Sequence, residues 1–412
     1  MNPIADHPSR HAMADELHAR PFAKLGAPAC VAHLAMSSDA NDRAHLCGLL
    51  DHFGAAHPDV DATHYSGQLD RMFLKWESHT EFVTYTLFDE TGVADDFDSI
   101  FDMFPMDWLQ SGTGVRLASA VIRVENGDAD DEVLKQSQAW FAAESLAMSR
   151  VLDDCLVVAS DFRIDLGGHM RMAVFARMGT GQRRIGRVVQ RLCEIETYRA
   201  MAMLGLAQAR DMGRDLARLD GQLTELVARL NSDHKSDATL GQLLETAASL
   251  EQAAAQSSYR FGATRAYEAI VNQRIDILRE TRFYGRQTWA EFMMRRFDPA
   301  MRTVQSTGAR LQGLTDRAAR ASDLLRTRVD VERSAQNQTL LSTMNDRADR
   351  QLRLQRTVEG LSVVAISYYA VNLVLYLLGP LGVGKTVLAA GVTPCVVLSV
   401  WLALRRIQRK LH

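Results

Sequence analysis

The segment Lys75-Trp76-Glu77-Ser78-His79-Thr80-Glu81 places four ionisable side chains, Lys75, Glu77, His79 and Glu81, within seven residues. An amine, two carboxylates and an imidazole are the types that transfer protons or hold polar ligands. They form the best candidate for a small polar site, against the plainer alternative of a solvated hairpin turn. Nine of the twelve histidines fall between His7 and His79. No HExxH motif or helical His pair with a carboxylate partner stands out, and His7 and His11, spaced i,i+4, lie near the terminus. A metal centre is left unassigned, against scattered structural or surface histidines.

Gly379-Pro380-Leu381-Gly382-Val383-Gly384-Lys385-Thr386 matches the phosphate-binding pattern GxxxxGK[ST]. A working loop of that kind needs a preceding strand, a following helix and a metal-binding Asp from a further strand. Here a long apolar run precedes it, and the 26 residues after Thr386 include no Asp or Glu. The glycines and proline fit a tight turn better. No GxSxG elbow is present. Cys30, Cys47, Cys155, Cys193 and Cys395 are scattered, with no CxxC pair, which fits a reducing compartment. The expectation is a non-enzymatic protein without a cofactor. A membrane-tethered enzyme built on Lys75 to Glu81 and the nearby histidines is an alternative.

The elements that position these residues follow from periodicity. Residues 29–36 and 114–125 predict strands, and 71–77 with 81–88 predict a hairpin around Ser78-His79. In its first arm Met72, Leu74 and Trp76 share one face, while Phe73, Lys75 and Glu77 share the other. Residues 131–152 predict a helix, and 155–165 with 170–178 a second hairpin around Gly167-Gly168. Together, residues 1–178 predict an α+β domain with a mostly antiparallel sheet.

After Gly181 the period becomes helical. Leu216, Leu219, Leu223, Leu226 and Leu230 alternate steps of 3 and 4, as do Leu240, Leu243, Ala247, Leu250 and Ala254 across the polar loop 231–239. Residues 179–297 therefore predict a helical hairpin region. Asp298-Pro299 is an N-cap and N1 pair, and no further proline precedes Leu378. Residues 298–359 predict a stalk helix running into an apolar segment.

The chain carries 412 residues, 47 basic and 50 acidic side chains, and a net charge of −3. That balance argues against a nucleic-acid binder. No residue from 360 to 384 is charged. The runs 361–378 and 386–404 are each long enough to cross about 30 Å of hydrocarbon. Residues 360–404 thus predict a two-helix transmembrane hairpin, with Pro394 kinking its second helix. Arg347, Arg350, Arg353 and Arg356 precede it. Arg405, Arg406, Arg409 and Lys410 follow in the basic tail 405–412, and only Lys385 lies between the runs. This asymmetry predicts an inner-membrane protein with both termini cytoplasmic, and the N-terminus lacks the apolar core of a signal peptide. Ser367, Tyr368 and Asn372 are candidate intramembrane polar residues, for an interhelical hydrogen bond or a pathway.

ADELHARPF (14–22), LKWESHTEF (74–82), VQRLCEIETYR (189–199), SYRFGATRAY (258–267), LLRTRVDV (324–331) and QLRLQRTVEGLSVVAISYYAV (351–371) together resemble an uncharacterised bacterial family of membrane-anchored proteins with a domain of unknown function. The resemblance implies a cytoplasmic body with a C-terminal membrane anchor. Residues 345–371 also resemble the stalk-to-membrane passage of CorA-type magnesium channels. Those channels carry Gly-Met-Asn at the outer end of the first span, where this chain reads Leu377-Leu378-Gly379-Pro380-Leu381. The expected function is that of a scaffold or sensor body on a lipid bilayer, homo-oligomeric and without nucleic acid. The alternative is a CorA-like oligomeric channel or transporter handling a divalent cation.

Overall fold

The computed structural model describes residues 4, 6–10, 13, 22–91, 96–230, 236–378 and 385–411. The glycine-rich turn 379–384, the loop 231–235 and His11 lie outside the described residues, as do the side chains of Arg409 and Lys410.

Nine strands form one mixed sheet: β1 (Ala29–Ser37), β2 (His64–Leu69), β3 (Met72–Ser78), β4 (Phe82–Asp89), β5 (Arg116–Asn126), β6 (Ala147–Val151), β7 (Leu156–Ile164), β8 (Met170–Ala176) and β9 (Thr281–Arg282). Their spatial order is β2-β3-β4-β1-β5-β8-β7-β6-β9. Every pairing is antiparallel except β5 with β8. β1 is apolar at successive positions because both its faces are covered. Cys30, Ala32 and Leu34 join one core with α1 (Asp42–His52), α2 (Met106–Ser111) and α3 (Asp130–Trp140). Ala29 and Val31 join the other core, beneath α4 (Gln182–Leu230), α5 (Ser236–Leu278), α6 (Trp289–Arg296) and the start of α7 (Asp298–Leu378).

The expected helix over 131–152 is corrected. α3 ends at Trp140, and Ala147–Val151 form β6. Phe141 turns extended and buried, and the Ala142 N–H donates to Asp161 Oδ2 at 3.0 Å. Pairing of β6 with β7 and β9 then overrides a local pattern that contains no helix breaker. β9 itself comes from the otherwise helical region after Gly181, a contribution too short to carry a period.

Chain packing divides the protein into two units, residues 1–231 with 241–320, and 232–240 with 321–412. In the first, α4 and α5 run antiparallel. The Thr264 hydroxyl donates to the Ala202 carbonyl at 3.4 Å, and Gln208 Nε2 donates to the Gln256 carbonyl at 3.2 Å. Leu216, Leu219, Leu223, Leu226, Leu243 and Leu250 are buried along the seams. Arg310 and Arg317 of α7 both pair with Asp220 of α4, at 3.1 and 3.2 Å.

The second unit holds the rest of α7 and α8 (Lys385–Leu411). α7 is a single 81-residue helix, exposed on every side from 330 to 358. Among the described residues one helix is long and apolar enough to cross a membrane by length and composition, and its apolar window is almost wholly exposed. The second run is helical, but its apolar stretch, Leu388–Ala403, falls short of that length. One span by this measure thus stands where the sequence suggested two.

Two glycines of α4 test the packing. A Cβ on Gly186 would collide with the Ala23 carbonyl, whereas nothing lies within 4 Å of one on Gly213. Gly186→Ala is expected to destabilise by about 1–3 kcal/mol. Gly213→Ala is expected to stabilise by about 0.5–1 kcal/mol, because alanine is the better helix former. Denaturant unfolding of the two variants should move in opposite directions.

Candidate functional site

Strand register lines up a polar row on the sheet face beneath α4. Ser66 of β2 pairs with Lys75 of β3, Lys75 with Thr86 of β4, and Thr86 with His33 of β1. The next row sets Glu77 opposite Thr84. β3 alternates strictly, so Trp76 points into the opposite core while Lys75 and Glu77 face the helices.

Above these rows lies a half-open cavity of about 280 Å³. Its floor carries His33, Lys75, Glu77, Thr84 and Thr86, and its roof carries Gln190, Arg191, Cys193, Glu194, Thr197 and Tyr198 of α4 with Arg274 and Ile277 of α5. Phe22, His79, Phe82 and Phe88 complete the wall. α4 supplies two adjacent stripes. Ile185, Val188, Val189, Leu192 and Ile195 pack on the sheet, and the polar residues 190, 191, 194 and 197 lie beside them at helical spacing.

Of the residues singled out in sequence, Lys75, Glu77 and His79 reach one cavity. Glu81 turns to α5, where it pairs with Arg260 and accepts from the Tyr267 hydroxyl at 2.6 Å. Burial and the Glu81 carboxylate push the Tyr267 phenol up. The residues that sequence reading missed are His33, Gln190, Arg191, Thr197 and Arg274. The signal for the α4 group was the second, polar stripe within 189–199, and for His33 a lone imidazole in an apolar strand.

His33 is fully enclosed, with Nδ1 2.8 Å from Thr86 Oγ1 and Nε2 2.8 Å from Thr197 Oγ1. Burial and the nearby Lys75 charge lower its pKa to about 3, so the ring is neutral, with one nitrogen donating and the other accepting. Lys75 is 5% exposed, and its Nζ lies 3.2 Å from Glu77 Oε2. That distance makes an ion pair, yet the ammonium has no hydrogen bond of acceptable geometry. Gln190 donates through Nε2 to Glu194 Oε1 at 2.8 Å, while its own buried Oε1 has no partner. Glu194 is also held by Arg274 Nε. Burial pushes the Cys193 thiol up, which keeps it protonated and a poor nucleophile. Among the described residues no group of three or more His, Cys, Asp and Glu is placed to hold a metal ion.

In the second unit, Ser367 is buried and its hydroxyl has no hydrogen-bond partner among the described residues, and Tyr368 is exposed. Asn372 Nδ2 donates to the Tyr368 carbonyl of its own helix at 3.0 Å. Arg350, Arg353 and Arg356 are exposed along α7, and Arg405 lies over the Trp401 ring at 4.8 Å, with Arg406 exposed beside it.

A mixed sheet covered by helices on both faces, followed by long helices and enclosing a polar cavity, defines a class in which the site is built between sheet and helix. Within that class the chain belongs to the DUF3422 family, a protein of unknown function, whose model matches residues 5–411. No curated protein matches the chain.

The depressed His33 pKa has a thermodynamic consequence. Between the ordinary histidine value of 6.5 and about 3, the unfolded chain binds a proton that the folded ring refuses. Stability from this group is therefore whole above pH 6.5 and declines as pH falls towards 3, by at most about 1.4 kcal/mol per pH unit. Urea unfolding from pH 7 to pH 4 should give a flatter pH dependence for His33→Gln than for the parent protein.

Proposed function

We propose that this protein is a membrane-anchored scaffold or sensor, whose sheet-bearing unit stays in the cytoplasm and whose residues 360–404 sit in the inner membrane. The observation that carries the reading is the exposed apolar end of α7. Its residues 361–378 are uncharged, yet Leu361, Val364, Leu373 and Leu377 are all open to solvent. Apolar surface of that extent is costly in water and at rest in hydrocarbon. The arginines before 360 and after 404 favour cytoplasmic flanks. The shorter stretch of α8 suits a return span if Trp401 and the arginines after it settle at the interface.

A second feature supports self-association. Leu340, Met344, Arg347, Gln351, Leu354, Val358 and Leu361 recur at alternating steps of 4 and 3 on the exposed part of α7. Five of these seven positions are apolar, a seam that a parallel copy of the same helix would cover. A channel would need such a ring, but the hydrogen bond of Asn372 goes to its own backbone, which gives a conducting role no particular support.

The full chain should fractionate with membranes and resist extraction by alkaline carbonate, while a chain ending at residue 359 should move to the soluble fraction. Recovery of the full chain from the soluble extract without detergent would overturn the anchoring. Cross-linking in membranes should trap a defined oligomer that Leu354→Lys with Val358→Lys disperses. Equal yields of the oligomer from both chains would remove the α7 seam as its cause.

A further inference from the structure

The cavity beneath α4 contains buried polar atoms that have no hydrogen-bond partner among the described residues. Lys75 Nζ has an ionic neighbour but no hydrogen bond, and Gln190 Oε1 has none. A buried donor or acceptor left without a partner is costly, so such atoms around an open space call for an occupant. Arg191 adds a third demand. It is half-buried on the cavity wall, and no ion pair or hydrogen bond engages its guanidinium among the described residues.

Charge decides what the occupant is. Lys75, Arg191 and Arg274 face Glu77 and Glu194, with His33 neutral, so the described lining has a surplus of one positive charge when His79 is counted as uncharged. Glu77 and Glu194 already lie against Lys75 and Arg274. The surplus rests on Arg191, beside an ammonium with donors unspent. Next to the cavity, a groove shares Arg191 and Ile277 and carries Arg184, Arg187 and Arg279 against Asp276, with Arg279 paired to Asp153 at 2.8 Å, so basic side chains remain in excess. This basic rim draws anions towards the opening. The cavity is aromatic at both ends: Phe82 and Tyr198 meet edge to face at 5.9 Å at one, and Phe88 lies beside Phe73 at the other.

We infer that this cavity binds a small monoanionic carboxylate with a planar, apolar body, its carboxylate set between Lys75 and Arg191 and its body against Phe88, two residues along β4 from the partner of Lys75. Gln190 Oε1 accepts from a hydroxyl or amino group on the ligand. A dianionic phosphate ester fits less well, because its second charge exceeds the surplus. A volume of about 280 Å³ lies at the small end of ligand sites, which suits a single-ring acid. Two of these segments meet here with Phe22: Lys75, Glu77, His79 and Phe82 belong to LKWESHTEF, and the α4 roof is VQRLCEIETYR. The inference concerns the first unit alone and does not depend on the membrane reading.

The test uses the full-length protein in nanodiscs, with benzoate, 4-hydroxybenzoate, phenyl phosphate and the neutral isostere benzamide as probes, at matched ionic strength. Thermal unfolding should show a saturable upward shift of several degrees with benzoate, larger with 4-hydroxybenzoate, and none with benzamide. By titration calorimetry, Lys75→Met and Arg191→Gln should each weaken 4-hydroxybenzoate about tenfold or more, the loss expected for one charge-assisted contact. Arg218→Gln, on an exposed part of the same helix, should leave binding unchanged. Circular dichroism shows which variants remain folded; Arg191, half-exposed on a helix, serves if Lys75→Met does not fold. No shift with either carboxylate at millimolar concentration, or an equal shift with benzamide, would overturn the inference. Tighter binding of phenyl phosphate than of benzoate would overturn the charge assignment.

Discussion

The structure depends on the seating of α4 against the sheet. Ile185, Val188, Val189, Leu192 and Ile195 bury one stripe of a 49-residue helix on β1, β5 and β8, and at Gly186 the helix comes so close to Ala23 that no side chain fits. That seating removes the apolar face from water, which is the main favourable term in the fold. It also fixes how far the roof residues stand from the floor.

Where the stripe is apolar the two layers close, and where it turns polar they part. Thr197 meets His33 directly, and the row from His33 through Thr86 to Lys75 crosses a face that is apolar over most of its other strands. His33 satisfies both of its ring nitrogens on threonine hydroxyls and so remains neutral inside the sheet. Lys75 is not satisfied in that way, and it borders the open space rather than the packed part of the layer. Buried polar groups thus divide into a closed pair that holds the layers together and an open set that lines the cavity.

α7 carries three kinds of surface on one helix. Leu311, Leu314 and Ala318 are buried within the first unit, while the stretch from 330 to 358 is exposed on all sides and 361–378 is uncharged on all sides. Helix geometry is common to all three stretches, because a helix satisfies its backbone in water, in protein and in hydrocarbon alike. Only the side chains change, and they change without a proline or a cap to interrupt the turn.

Much of this was legible in the residues alone. The 71–77 and 81–88 hairpin, the leucine seams of 216–230 and 240–254, and the long helix from Asp298 follow from local period, and an uncharged run such as 361–378 announces itself by composition. So did the alternation that puts Lys75 and Glu77 on one face. Strand β6 was hidden, since the local pattern of residues 147–151 reads equally well as helix and their extended form is decided by pairing, with β7 across the turn 152–155 and with the remote β9. The cavity was hidden for the same reason. Nothing local brings His33, Lys75 and Arg191 together; a strand register, a sheet order and the rotation of α4 about its axis do, and each is fixed by non-local packing rather than by the order of residues along the chain.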